Sequence, residues 1–347
     1  MDSLTHLFIG GAIAAAIAPP GQRRAALFAG AALNSLPDLD VLPLLLSHDP
    51  VVRMTWHRAA THSLLVLPFV GLFLWWLFRL RGKRVAAAPV RWFWIFQLAL
   101  LTHPLIDACT VYGTQLWWPL PVAPAMWSSL FIIDPLLTLP LVIGCACVAW
   151  FGPRPQAKTA AVASLAVAVA YVGWSFAAKA MVERAARPAL VAMGLGDARH
   201  FSVPMPFNTF LWRVVAMTPR GFVEGERSLV ADRGPMQFHA YASDTGALAS
   251  VRSAPDIARL LWFNHHFMKA EVRDDRLVLS DLRMGAEPDY SFRFAVARRD
   301  GADWRPMPIE QMEWPWEASR RLPDLWVRIW RAPTGPAANG VPAHADD

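Results

Sequence analysis

Between Trp92 and Pro153 the only Asp, Glu, Lys, Arg or His residues are His103, Asp107 and Asp134. Their neighbours are apolar, and a carboxylate or imidazole at membrane depth is costly without a partner. No cation lies close in sequence, so the partner comes from elsewhere in the fold or is a metal ion. His103 and Asp107 are four residues apart, which on a helix projects both from one face and suits two ligands on one ion. More candidates come from the first 62 residues: His6, the pair Asp38 and Asp40 in Leu36-Pro-Asp-Leu-Asp40, and the pair His57 and His62 in His57-Arg-Ala-Ala-Thr-His62. Eight His and Asp side chains exceed the needs of a single tetrahedral zinc. Two ions, or one ion with a generous ring of supporting hydrogen bonds, fit that number.

A plainer reading stands beside each candidate. His6 suits a helix end or a membrane interface. Asp38 and Asp40 suit a helix break around Pro37, and Asp134 before Pro135 suits a helix N-cap with proline at the first helical position. His57 suits a solvated loop, and Arg58 a lipid headgroup contact. For His62, His103 and Asp107 burial beside apolar segments demands a stronger reason. His48, Asp49 and Cys109 lie near the same residues and carry no assignment; His265 and His266 between Phe263 and Phe267 read as a structural pair.

The elements that position these residues are apolar runs at about 5–18, 25–46, 62–80, 92–108, 128–151 and 159–181. Some fall short of the roughly 20 residues that a perpendicular spanning helix needs, so the first one or two enter partway or are broken. The chain is 55% hydrophobic and 17% charged, which excludes a single soluble domain and a disordered chain. Three cysteines, two of them inside an apolar run, exclude a disulfide scaffold. The net charge of +6 belongs to the first half: residues 1–187 hold 14 basic and 7 acidic groups, the rest 19 and 20. The basic residues cluster between apolar runs, as at Arg79, Arg81, Lys83, Arg84 and Arg91, which points to a membrane surface and away from nucleic acid. With those connections cytoplasmic, every candidate ligand falls at the opposite ends of the segments.

The expected fold class is therefore an α-helical polytopic membrane domain of five or six apolar helices over residues 1–187, followed by a mostly β extramembrane domain over 188–332 and a disordered Ala/Pro/Gly-rich tail over 333–347. The β expectation rests on short alternating runs such as Arg276-Leu-Val-Leu-Ser280 and Tyr290-Ser-Phe-Arg-Phe-Ala295. By the charge argument that domain lies outside the cytoplasm.

Taken in order, Met1-Asp-Ser-Leu-Thr-His6, Pro37-Asp-Leu-Asp40, His57-Arg-Ala-Ala-Thr-His-Ser63, His103-Pro-Leu-Ile-Asp107, Tyr112-Gly-Thr-Gln-Leu-Trp-Trp-Pro119 and Asp134-Pro135 resemble an inner-membrane family of membrane-bound metal-dependent hydrolases, whose members include a LexA-regulated bacterial protein. The resemblance covers about residues 1–180, and Pro206-Phe-Asn-Thr-Phe-Leu-Trp-Arg213 with Asp281-Leu-Arg-Met-Gly285 resembles the extra domain of longer members. It implies a protein of the bacterial inner membrane and a hydrolase without a defined substrate; with the apolar runs and the charge argument, the expectation is a multi-pass protein whose β domain is periplasmic. The expected machinery is a divalent metal, zinc first among the candidates, as one or two ions held by His6, Asp38, Asp40, His57, His62, His103, Asp107 and Asp134. Asp38 or Asp40 is the expected general base, and Arg58 the expected stabiliser of an anionic oxygen. The expected partners are the lipid bilayer and an amphiphilic substrate, such as a phosphoester or lipid, and no nucleic acid. An ion-binding transporter and a non-enzymatic envelope scaffold with a structural metal remain the rival readings.

Overall fold

The computed structural model describes residues 1–313 and 318–333; from residue 334 the expected disordered tail lies outside the described residues. The chain forms two units. The first comprises Met1–His48, Val52–Trp127 and Phe131–Trp174, and the second Asp49–Val51, Ser128–Leu130 and the chain from Ser175 onward.

In the first unit α1 (Ser3–Ile17) starts at Asp2, whose carboxylate accepts from the Thr5 backbone N–H at 3.0 Å. Helix α2 (Arg23–Ser35) crosses α1 where Gly10 meets Gly30; a Cβ on either would run into the carbonyl of the other, so glycine sets this approach. At Pro37, which has no N–H to continue the ladder, the chain tightens into a 3-10 turn over Pro37–Asp40 and then forms α3 (Val41–Leu44). α4 (Pro50–Trp56), a 3-10 turn at Ala60–His62, α5 (Leu67–Arg81), α6 (Lys83–Ala87) and α7 (Pro89–Ala108) follow, then α8 (Pro135–Phe151) and α9 (Pro155–Ala192). Ala14, Ala18, Ala26, Leu33, Trp92, Ile95, Phe96 and Ala99 pack into a core between α1, α2 and α7. Arg24 donates to the carbonyls of Ala149 and Trp150 at 2.7 and 2.9 Å, closing the C-terminus of α8 from a neighbouring helix.

Among the described residues one helix, α9, is by length and composition able to cross a membrane, or up to three spans exist if each of two bent pairs counts as one. The pairs are Pro20–Ser35 with Pro37–Leu44, bent by 40°, and Pro50–His62 with Leu67–Arg81, bent by 57°. That is fewer than the five or six apolar helices expected. Part of the reason is local: the 3-10 turn at Pro37–Asp40 divides the run at 25–46, the break after His62 leaves α5 with 15 residues, and α1 and α8 reach only 15 and 17. Helix α9 has 38 residues, about 57 Å at 1.5 Å per residue. Its first 20 residues, Pro155–Trp174, match the roughly 30 Å of a hydrocarbon core.

In the second unit the rest of α9 becomes a packing element: Ala178, Val182, Ala186 and Leu190, repeating every four residues, bury against Trp212, Val214, Ala216, Val223, Met236 and Phe238. These belong to an antiparallel sheet of β1 (His200–Pro204), β2 (Leu211–Thr218), β3 (Gly221–Ser228) and β4 (His239–Ala242), with the segment around Met236 leading into β4. After α10 (Thr245–Val251) and α11 (Pro255–Phe263) come β5 (Met268–Arg273), β6 (Arg276–Asp281), β7 (Gly285–Ala286), β8 (Asp289–Tyr290), β9 (Arg293–Asp300) and β10 (Asp303–Gln311). Their second sheet has the order β10-β9-β6-β5, β7 and β8 form a small ribbon, and α12 (Ala318–Trp330) follows. The two motifs singled out in this region are structural. Asn208 Oδ1 accepts from the backbone N–H of Phe210 and Leu211 at 2.9 and 2.8 Å and shapes the turn into β2. Arg213 donates to Glu224 at 2.7 Å and to the Leu282 carbonyl at 2.6 Å, and fully buried Arg283 pairs with Asp281 at 2.8 Å.

Candidate metal centre

Asp38, His62, His103 and Asp107 each offer one ligand atom, and these four atoms lie within 4.8 Å of one another. Asp38 comes from the turn that Pro37 imposes after α2, and His62 ends the 3-10 turn before α5. His103 and Asp107 are one turn apart on α7. His62, His103 and Asp107 are fully buried, and the Asp38 side chain is 21% exposed.

The hydrogen bonds fix where the imidazole protons sit. His103 Nδ1 lies 2.6 Å from the Asn34 carbonyl, which can only accept, so Nδ1 carries the proton. Thr61 Oγ1 spends its own proton on Asp40 at 2.7 Å and therefore accepts from His62 Nδ1 at 3.0 Å. In the neutral form of each ring Nε2 then carries a lone pair, and these two nitrogens face each other at 2.9 Å. Asp38 Oδ1 lies 3.4 and 3.3 Å from them, and Asp107 Oδ2 3.2 and 3.3 Å. Asp107 Oδ2 is buried and makes no hydrogen bond. Four electron-pair donors thus converge on one point. A proton there satisfies two of them, whereas a divalent cation satisfies all four. Ligand atoms at 2.0–2.1 Å from a tetrahedral ion are about 3.3 Å apart; five of the six separations, at 2.9–3.4 Å, match that, and the sixth, between the two carboxylates, lies within 4.8 Å.

The other oxygen of Asp107 faces positive charge. Oδ1 takes Arg58 Nη2 at 3.1 Å, His6 Nε2 at 3.2 Å and the Met1 amino group. His6 stacks on His103 with centroids 3.8 Å apart and reaches Asn34 Oδ1 at 3.2 Å, so it braces the cluster from the side. Arg58 is buried, with positive φ (65°), and its guanidinium also donates to Thr110 Oγ1 at 3.2 Å and lies over Tyr112. Its backbone N–H donates to Asp40 Oδ2 at 3.1 Å and its carbonyl accepts from Gln115 at 3.0 Å, bonds that hold this strained conformation. Asp40 Oδ1 accepts from His57 Nδ1 at 2.8 Å, making a carboxylate–imidazole pair beside the four donors.

Asp134 is not among the four converging residues. It caps α8, accepting from the Leu136 N–H at 3.1 Å, and takes the Tyr171 hydroxyl at 2.9 Å. Several supporting residues escaped the sequence reading. Asn34 donates to the Ala99 carbonyl at 2.6 Å while its own carbonyl orients His103. Thr61 sets the His62 tautomer, and Thr110 holds Arg58. A lone asparagine in the apolar run at 25–46 was the available signal for Asn34; Thr61 and Thr110 carried none.

Fold and site together define a helical membrane protein with a His/Asp cluster able to bind a metal ion. The chain belongs to the YdjM inner membrane protein family, whose model matches residues 1–182. It is similar to the inner membrane protein YbcI of Escherichia coli (strain K12), with 33% identity over 134 residues that cover 36% of this chain and 68% of the relative. No solved structure matches the chain.

Proposed function

We propose that the chain is a metal-dependent hydrolase of the inner membrane, acting on an amphiphilic ester or phosphoester. The observation that carries this reading is the convergence of two imidazole nitrogens and two carboxylate oxygens, all within 4.8 Å of one another, in a buried cluster. Asp38, His62, His103 and Asp107 would hold one divalent ion, zinc fitting the donor set best. Such an ion supplies Lewis acidity toward a scissile group and lowers the pKa of water. A single ion is favoured because Asp107 Oδ1, the oxygen that would bridge to a second, already faces Arg58 and His6.

The remaining roles belong to the chain's own side chains. Arg58 holds Asp107 in place; its commitment to Asp107 and Thr110 supports that role over the one expected from sequence, contact with an anionic oxygen. Asp40 orients His57 through Nδ1–H, which leaves the His57 Nε2 lone pair to accept a proton and return it to a leaving group. Asp40 then acts through His57 instead of directly as the base. The side chains of Asp38 and His57, 21% and 23% exposed, supply the route by which substrate approaches. The charge distribution of residues 1–187 supports a site at the non-cytoplasmic membrane face. A site bounded by apolar helices supports an amphiphilic substrate.

A structural metal staple is the second reading, favoured by the donor count, since four protein ligands close a tetrahedral shell. The test is turnover of phosphate and carboxylate esters with long alkyl chains by the full chain in lipid nanodiscs. The hydrolase reading expects turnover that chelator abolishes and that His57→Ala reduces by about 10²–10⁴-fold while metal is retained. Bound metal, loss of fold on chelation and no turnover of either ester class favour the staple.

A further inference from the structure

The second unit presents an apolar face that its own core does not use. Helix α12 buries Ile329 against Met205 and Leu211, with Leu325 packed alongside. Its other side exposes Trp326, Val327 and Trp330, at spacings that share one helical face. Trp326 and Trp330 are 62% and 54% exposed, and their rings lie edge to face at 6.0 Å. Phe207 and Val230 are exposed as well, in the turns that lead into β2 and out of β3.

The position of this face follows from the path of the chain within the unit. α9 enters at Ser175 and ends at Ala192. β1 starts at His200 and runs back alongside α9, so that Ser202 Oγ meets Lys179 and Glu183 at 2.8 and 2.9 Å, near the helix's entry. The end of β1, Met205 and the start of β2 at Leu211 continue toward that entry, and Leu211 and Met205 are the residues that seat Ile329 of α12. The aromatic face therefore lies at the end of the second unit where α9 enters, at Ser175.

We infer that Trp326, Val327 and Trp330 of α12, with Phe207, dock on the bilayer surface that α9 crosses. Two considerations choose lipid as the occupant. The unit is joined to α9, a helix able to cross a membrane, so the effective concentration of lipid surface around it is high. The chemistry of the patch, two exposed tryptophans followed by the exposed Arg331, is that of an interfacial amphipathic helix facing anionic headgroups. Anchored this way, the β unit is held against the membrane instead of swinging from α9.

The test uses full-length chain carrying fluorotryptophan in nanodiscs of phosphatidylethanolamine and phosphatidylglycerol. The two resonances are assigned by their disappearance in Trp326→Phe and Trp330→Phe, changes that leave the buried side of α12 intact. Docking predicts that a lipid with a nitroxide near the top of its acyl chain broadens both signals several-fold, while a water-soluble nickel chelate leaves them sharp. Broadening by the chelate and not by the lipid overturns the inference. So does protection from both reagents in discs that hold two copies, which assigns the face to self-association.

Discussion

Replacing Asp107 by Asn keeps the shape of the side chain and removes the one charge that serves both the four-donor cluster and Arg58. The Arg58 guanidinium lies 3.1 Å from Asp107 Oδ1, with the group buried. At an effective dielectric of 20 the gross attraction at that distance is about 5 kcal/mol. Removing one partner of such a buried pair strands the other and costs about 3–5 kcal/mol net. At roughly 2–4 °C per kcal/mol for a domain of this size, Asp107→Asn should lower the unfolding midpoint by about 6–20 °C. The assay is thermal unfolding of the full chain in detergent with chelator present, so that the ion pair is measured without the metal. Arg58→Met added to Asp107→Asn removes the stranded charge and should recover most of the loss, a coupling that a double-mutant cycle reads directly. Midpoints for wild type and Asp107→Asn within a degree or so, or a double variant no better than the single, would refute the reasoning that Arg58 and Asp107 depend on each other.

Three further outcomes follow from the geometry. Gly30→Leu should destabilise the chain by about 1–3 kcal/mol, because a Cβ there meets the Gly10 carbonyl and the Ala14 methyl; thermal unfolding of the detergent-solubilised chain checks it. Arg283→Met leaves Asp281 buried without its ion-pair partner and should cost about 3–5 kcal/mol, read as early loss of β signal in circular dichroism on heating. Burial holds the Glu226 carboxyl above its ordinary value of 4.5, with Arg328 opposing the shift. Its folded form therefore binds the proton more tightly than the unfolded chain. The stabilisation is complete below about pH 4.5 and fades as pH rises through the raised value. Glu226→Gln should remove that decline, which unfolding midpoints across the acid-to-neutral range will show.

The ligands were legible because charge is scarce in the membrane half. His62, His103 and Asp107 stood out against apolar neighbours, and the four-residue spacing put the last two on one helical face, where α7 has them. Asp38 and Asp40 were legible as a pair but not as two roles. Their separation depends on the 3-10 turn after Pro37, which aims Asp38 at the imidazoles and Asp40 at His57 and Thr61. Asp134 carried the same composition signal, yet its position before Pro135 let the helix cap and Tyr171 account for its burial. The β segments were visible from alternation, and Arg276–Ser280 and the residues around Phe294 do form β6 and β9. The number of spans was not legible, since hydropathy sees an apolar run at 25–46 and cannot see that Pro37 bends it by 40°. The double service of α9, a helix able to cross a membrane that also supplies a packing face from Ser175, also needed the structure, because its buried alanines look the same in both settings.

The central claim is that Asp38, His62, His103 and Asp107 bind a divalent ion. Elemental analysis of the purified full chain, beside His103→Ala prepared identically, tests it most directly. The account predicts about one divalent ion per chain in the wild type, zinc first among candidates, and a loss of most of it in the variant. Equal and negligible zinc, manganese and iron in the two proteins, with the wild type taking up none on dialysis against each metal, contradicts it.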